Sequence, residues 1–177
     1  LIEAITNAAS SIDIATAHLR RDEIYHALTK ALARGVSVRI MTDAQEFSPQ
    51  PFDEGSGKHL DELLGEGGAT LRYKVYSVNW SIARAQQMHT KYMIVDNRLV
   101  LTGSYNWSET SETKSMENLI ALDSESVAKV YSDHFEKLFS YGSGRLNELQ
   151  DMVKRSRGRA PCHFDPLALS CDEYAAL

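Results

Sequence analysis

Cysteine is nearly missing from this chain. Of its 177 residues only Cys162 and Cys171 carry a thiol, and both lie in the tail. A disulfide scaffold is therefore excluded, and the fold has to rest on an apolar core. Also lacking is any run approaching the roughly 20 apolar residues that span a bilayer, so the stretch reads as soluble. Positive charge is not in excess either. The formal net charge is -5, so no global field advertises nucleic-acid binding, and any polyanion site has to be local. Internal repeats are absent. The chain opens Leu1-Ile2-Glu3, without a Met and inside a helical pattern, which leaves room for a signal or anchor upstream and keeps the compartment open. What is present is an ordinary hydrophobic fraction of 43%, enough at this length for one domain with a sizeable core.

Periodicity places the elements. Leu1, Ile2, Ile5, Ala8 and Ala9 recur at helical spacing, and residues 11–17 then alternate as a strand. Asp22 is a candidate cap for a helix carrying Ile24, Leu28, Ala31 and Leu32, which Gly35 ends. Val36, Val38 and Ile40 open a second strand closing at Thr42-Asp43. Strand, helix, strand in this space is a βαβ unit, with parallel strands and a right-handed crossover. Residues 46–57 hold two prolines and three acids without apolar period, and read as a loop or lid. Inside it, Gly55-Ser56-Gly57-Lys58 has the look of a phosphate loop, but His59 stands where Ser or Thr is required. Leu60, Leu63 and Leu64 make a short helix, and residues 70–78 a strand. Residues 116–122 read as another strand. Asp123 or Ser124 then caps an amphipathic helix carrying Val127, Val130, Tyr131, Phe135, Leu138 and Phe139, which Gly142 and Gly144 end. The boundary is placed there: residues 1–140 form the catalytic domain, and residues 141–177 a C-terminal helix (Leu146, Leu149, Met152, Val153) with a basic run at 154–159 and a tail. The basic run is either a solvated helix end or a contact for phosphates of nucleic acid or anionic lipid. Cys162, His163, Cys171 and Asp172 match no standard zinc spacing.

The chemistry concentrates in residues 88–118, MHTKYMIVDNRLVLTGSYNWSETSETKSMEN. Two short branched, apolar runs, 92–95 and 99–101, flank Asp96-Asn97-Arg98 and read as a hairpin. A hairpin returns its end beside its start, so His89, Lys91, Ser104 and Asn106 converge. An imidazole, a cation and two neutral hydrogen-bonders in one place suit a tetrahedral oxyanion.

At these residues the sequence resembles the phospholipase D superfamily, whose signature is H-x-K, four residues, D, six residues, then G-S-x-N. His89, Lys91, Asp96, Gly103, Ser104 and Asn106 meet every spacing. Six fixed types coincide by chance on the order of once in a million chains of this length, which decides against coincidence. The downstream Glu-Asn pair of the family is matched by Glu117-Asn118, and the wording TGSYNWS is most similar to the single-motif branch of bacterial endonucleases and mitochondrial cardiolipin hydrolases. No cysteine-histidine insertion, found in some mitochondrial relatives, precedes the motif. The resemblance covers roughly residues 1–140. Together with the strand–helix alternation it implies an α/β fold: a mixed β-sheet flanked by helices on both faces, phospholipase-D-like, with one HKD motif per chain.

The resemblance implies a double displacement. Neutral His89 attacks phosphorus to give a phosphohistidine, and a second imidazole protonates the leaving oxygen and then activates water. An imidazole pKa near ~6.5 suits both tasks. With one motif per chain, the second His89 is expected from a symmetry mate, in a homodimer with the active site on the two-fold. A second motif elsewhere in a longer protein would replace it by a pseudo-dimer. Lys91 and Asn106 from both chains would hold the phosphoryl oxygens without a metal cofactor. Glu117 is expected to hold His89 by its other ring nitrogen. Ser104 is assigned to the phosphate or to its neighbours, Asp96 to backbone hydrogen bonds in the turn, and Gly103 to close backbone approach.

Other residues have blander readings. His26, His59, His134 and His163 are taken as surface or packing histidines, while His18 ends a strand near the sheet mouth and could line the cleft. Trp107 is expected in the core and Tyr105 beside substrate. Trp80 and Phe52 either pack their loops or touch a base or lipid. Three functions follow: an endonuclease on DNA or RNA, preferred here; a phospholipase D acting on cardiolipin or another phospholipid; or a non-catalytic interaction module. An apolar patch at the cleft would favour lipid, a basic groove nucleic acid.

Overall fold

The fold was analysed in a computed structural model, which describes residues 1–43, 64–74 and 88–141. The loop at 46–57 with its phosphate-loop-like stretch, Phe52, His59, Trp80, the basic run at 154–159 and the Cys162/Cys171 tail lie outside the described residues.

Ten described elements follow one another as α1 (Ile2–Asn7), β1 (Ser11–Ala15), α2 (Asp22–Ala33), β2 (Ser37–Asp43), β3 (Thr70–Lys74), β4 (Tyr92–Val95), β5 (Leu99–Gly103), α3 (Glu109–Thr113), β6 (Leu119–Asp123) and α4 (Glu125–Tyr141). The sheet order is β3-β2-β1-β4-β5-β6. β1, β2 and β3 run parallel, as the βαβ reading requires. β4 lies antiparallel to β1, and β5 and β6 alternate outward from it. The mixed sheet is thus parallel on one side and antiparallel on the other, with the change at β1–β4.

Alternation along the strands feeds two cores. Ile12, Ile14, Val38, Ile40, Met93, Val95 and Leu101 face Ile5 of α1 and Ile24, Leu28 and Ala31 of α2. Ala15, Met41, Tyr92, Ile94 and Val100 face Ala128, Phe135, Leu138 and Phe139 of α4. Helices therefore cover both faces, because each strand of the middle four buries side chains in both directions.

Three local expectations are corrected. Asp22 does not cap α2: Arg21 is the N-cap in extended conformation and Asp22 is the first helical residue, where its charge still favours the positive end of the helix. The strand expected from residue 116 begins at Leu119, since the preceding residues are bonded to the end of β5. Val130 is 67% exposed and belongs to no core. Gly35 does follow α2 with φ +87, in the left-handed conformation that closes helices. Ser124 caps α4 by accepting the Val127 N–H at 3.4 Å.

Candidate active site

Antiparallel pairing brings the motif together. Ala15 at the end of β1 is level with Met41 of β2 and with Tyr92 at the start of β4. Tyr92 is level in turn with Thr102 near the end of β5, and Gly103 with Leu119 at the start of β6. One end of the sheet thus collects residues 16–18, Asp43, residues 88–91, residues 103–106 and residues 117–118. Ligands in open α/β sheets bind at this end, beside the strand where the order of connections changes.

His89 leads into β4 with an exposed side chain. Its carbonyl accepts from Lys91 Nζ at 2.8 Å. Lys91 is buried, and burial pulls its ammonium below the ordinary lysine range while the Glu117 charge pushes it back up. The Lys91 carbonyl is held by Thr102 Oγ1 at 3.1 Å. Backbone order therefore passes from β5 to Lys91 and from Lys91 to His89.

Across the hairpin, Ser104 fastens β5 to the chain entering β6. Its N–H reaches the Asn118 carbonyl at 3.1 Å and Asn118 Oδ1 at 2.9 Å. Its Oγ accepts the Asn118 N–H at 3.1 Å and donates to Glu117 in a short hydrogen bond. This approach needs Gly103. A Cβ built there would stand 2.1 Å from the Asn118 carbonyl oxygen, well inside contact distance. Glu117 is thus placed against Ser104 and near the Lys91 charge, and among the described residues no hydrogen bond joins it to the His89 ring. Asn106 Oδ1 is buried with no described partner. A buried unpaired amide costs about 1–3 kcal/mol, and a half-turn of the amide presents its NH2 at the same position.

Asp96 is at the opposite end of the hairpin from these groups. Asp96 and Asn97 both adopt φ +53, and the Asp96 carboxylate accepts the backbone N–H groups of Ala9, Ser10 and Ser11 at 2.9, 2.7 and 2.9 Å. Ser10 Oγ donates to it as well, at 2.8 Å. Burial pushes this carboxyl up, but the four donors hold it down at about 2. Its contacts join the hairpin to the start of β1.

The flanking residues brace the loop. Trp107 is buried, and its carbonyl accepts the Arg20 N–H at 2.8 Å. The Tyr105 hydroxyl, expected beside substrate, accepts from Arg21 at 2.9 Å and donates to Glu112 at 2.8 Å, and Arg21 pairs with Glu112 at 2.6 Å. Asp43 and Arg21 were not visible as site residues in the sequence, because each acts through a partner far along the chain, whereas Asn118 was marked by its place in the Glu117-Asn118 pair. His18 follows β1 at this end, half-buried. Among the described residues no group of three or more His, Cys, Asp or Glu is arranged to hold a metal ion.

These features agree with what the chain is similar to. Residues 1–139 match the family described as cardiolipin synthase, PLD-like domain. Mitochondrial cardiolipin hydrolase of Chlamydomonas reinhardtii is 27% identical over 138 residues, which are 78% of this chain and 55% of that protein. The chain spans about half the length of the curated relatives it matches. Nuc from Salmonella typhimurium, a solved phospholipase D family member, has TM-score 0.66 at 26% identity, covering 81% of this chain and 87% of Nuc. NucT from Helicobacter pylori shares the fold at TM-score 0.66 and 20% identity, with the same coverage. A matched family over most of the chain, the mixed sheet and the gathered motif lead to one assignment: the chain belongs to the phospholipase D superfamily.

Proposed function

We propose that the chain is a phosphodiester hydrolase working without a metal cofactor, through a phosphohistidine on His89, and that its substrate is nucleic acid. The observation that carries the hydrolase reading is the convergence of His89, Lys91, Ser104 and Asn106 at one sheet end, fixed by the hairpin register. His89 attacks phosphorus in line, a P–N bond forms, and the P–O bond to the leaving group breaks as a second imidazole gives that oxygen its proton. Water then attacks phosphorus, loses a proton to the same imidazole, and frees His89. Lys91 and Asn106 offset the charge growing on the phosphoryl oxygens. The exposed position of His89 and the Asn106 Oδ1, which has no partner among the described residues, suit a site completed by a second copy across a two-fold, which supplies the second His89. Glu117 positions an imidazole in that assembly, with Ser104 as its anchor.

The nucleic-acid reading rests on the resemblance to single-motif bacterial endonucleases. Exposed Met116, Leu119 and Ile120 beside Glu117-Asn118 favour a second reading, a phospholipid at a membrane surface. Labelled single-stranded DNA and RNA, and cardiolipin vesicles, each in EDTA, separate the two. Cleavage of nucleic acid in EDTA that His89→Ala abolishes supports the first reading. Headgroup release from vesicles alone replaces it with the second. No turnover of any substrate, with wild type and His89→Ala binding alike, points to an interaction module.

A further inference from the structure

Asp43 is a buried carboxylate that the phosphoryl chemistry does not touch. It is the last residue of β2, 1% exposed, and level with buried Lys74 on β3. A carboxylate is taken out of water at a cost of several kcal/mol unless its oxygens are used. Here Oδ2 accepts the Met88 N–H at 2.7 Å, a buried bond between residues 45 apart in sequence. β1 stands between β2 and β4, so the bond passes the end of β1 to reach the segment that leads into the motif. The end of β1 is itself tied down there, Thr16 N–H donating to Met41 and Thr42 Oγ1 to Ala17.

Met88 immediately precedes His89. Its side chain is packed in the core with Tyr92 and Ile94, and its N–H is taken by Asp43. One residue on, the His89 carbonyl is taken by Lys91. The backbone carrying an exposed imidazole is therefore fixed on both sides. We propose that Asp43 is a positioning residue: through the Met88 N–H it sets where His89 projects, and so aligns the nucleophile with phosphorus. The proposal rests on the reading of His89 as nucleophile. Displacing a reacting group by about 1 Å costs up to about a hundredfold in rate.

The test uses the full chain with Asp43→Leu, which removes the acceptor, and Asp43→Asn, which keeps a carbonyl oxygen in its place. Turnover of bis(4-nitrophenyl) phosphate gives kcat and KM, thermal melting checks the fold, and amide hydrogen exchange at Met88 reads the bond without any activity. Asp43→Leu is expected to lower kcat about ten- to a hundredfold with KM within about twofold, and to speed Met88 exchange at least about tenfold while Ile94 stays protected. Asp43→Asn is expected to recover most of both. An Asp43→Leu protein that melts like wild type and keeps its kcat overturns the proposal, as does Met88 exchange unchanged by the substitution. Equal kcat losses in the two variants also overturn it, since charge and not the bond would then matter. Turnover surviving in His89→Ala instead removes the nucleophile on which the proposal rests, and it does so with the Met88 exchange result unaffected.

Discussion

Asp96 and Gly103 show what single residues of the motif hold in place: Asp96 the start of β1, Gly103 the close approach of Asn118. Asp96 has its folded pKa held down at about 2, below the ordinary 3.8. The sign follows directly. The stability it contributes is present above about pH 4 and is lost as pH falls through about 2. Screening by solvent leaves this at about 1–2 kcal/mol. Urea midpoints measured between pH 2 and 5 should therefore fall more steeply in wild type than in Asp96→Asn, and identical slopes would disprove the assignment. Gly103 is required by the Asn118 carbonyl that a Cβ would strike. Gly103→Ala should cost on the order of 1–3 kcal/mol by forcing β6 away. It should also lower turnover beyond what the melting temperature accounts for, because Glu117 moves with β6.

The hairpin and the βαβ unit were legible in the sequence because each depends on neighbours: branched runs around a turn, apolar residues at helical spacing, a glycine after α2. The motif residues were legible through their fixed spacing on that hairpin. What was not legible depends on packing at a distance. Val130 fits the helical stripe but points outward, while buried Ala128, which the stripe omitted, carries too little apolar surface to signal itself. The Asp43–Met88 bond gives no local sign at all. The seating of α4 on the sheet is of the same kind. Arg39 pairs with buried Asp13 through two contacts of 2.7 Å, reaches Glu136 at 2.7 Å, and lies over the Phe135 ring at 5.0 Å. Arg39→Ala leaves the Asp13 carboxylate buried without that partner and should destabilise by about 3–5 kcal/mol in chemical denaturation. The double change Asp13→Leu with Arg39→Met should recover most of that loss. A double variant no better than Arg39→Ala would show that the pair is not coupled.

For the whole molecule, a site shared across a two-fold makes a quantitative demand. If both His89 side chains serve one phosphorus, a dimer with one His89→Ala chain is dead. After mixing, denaturing together and refolding wild type with His89→Ala, activity should follow the square of the wild-type fraction, about a quarter at equal amounts. A linear decline would mean that each chain carries a complete site. Assembly of the single chain raises a different issue, which follows from the place of β1 in the sheet. Its second neighbour, β4, is clasped to it by a contact between Ser10 and Asp96, 86 residues apart. At ribosomal speeds of about 5–20 residues per second, β1 waits about 4–17 s for β4 to be made. During that interval the central strand offers an unpaired edge to any other nascent chain. Asp13 supplies a guard: an acidic side chain in the middle of Ile12, Ile14 and Ala15 disfavours pairing with a foreign strand, until Ile94 arrives opposite it.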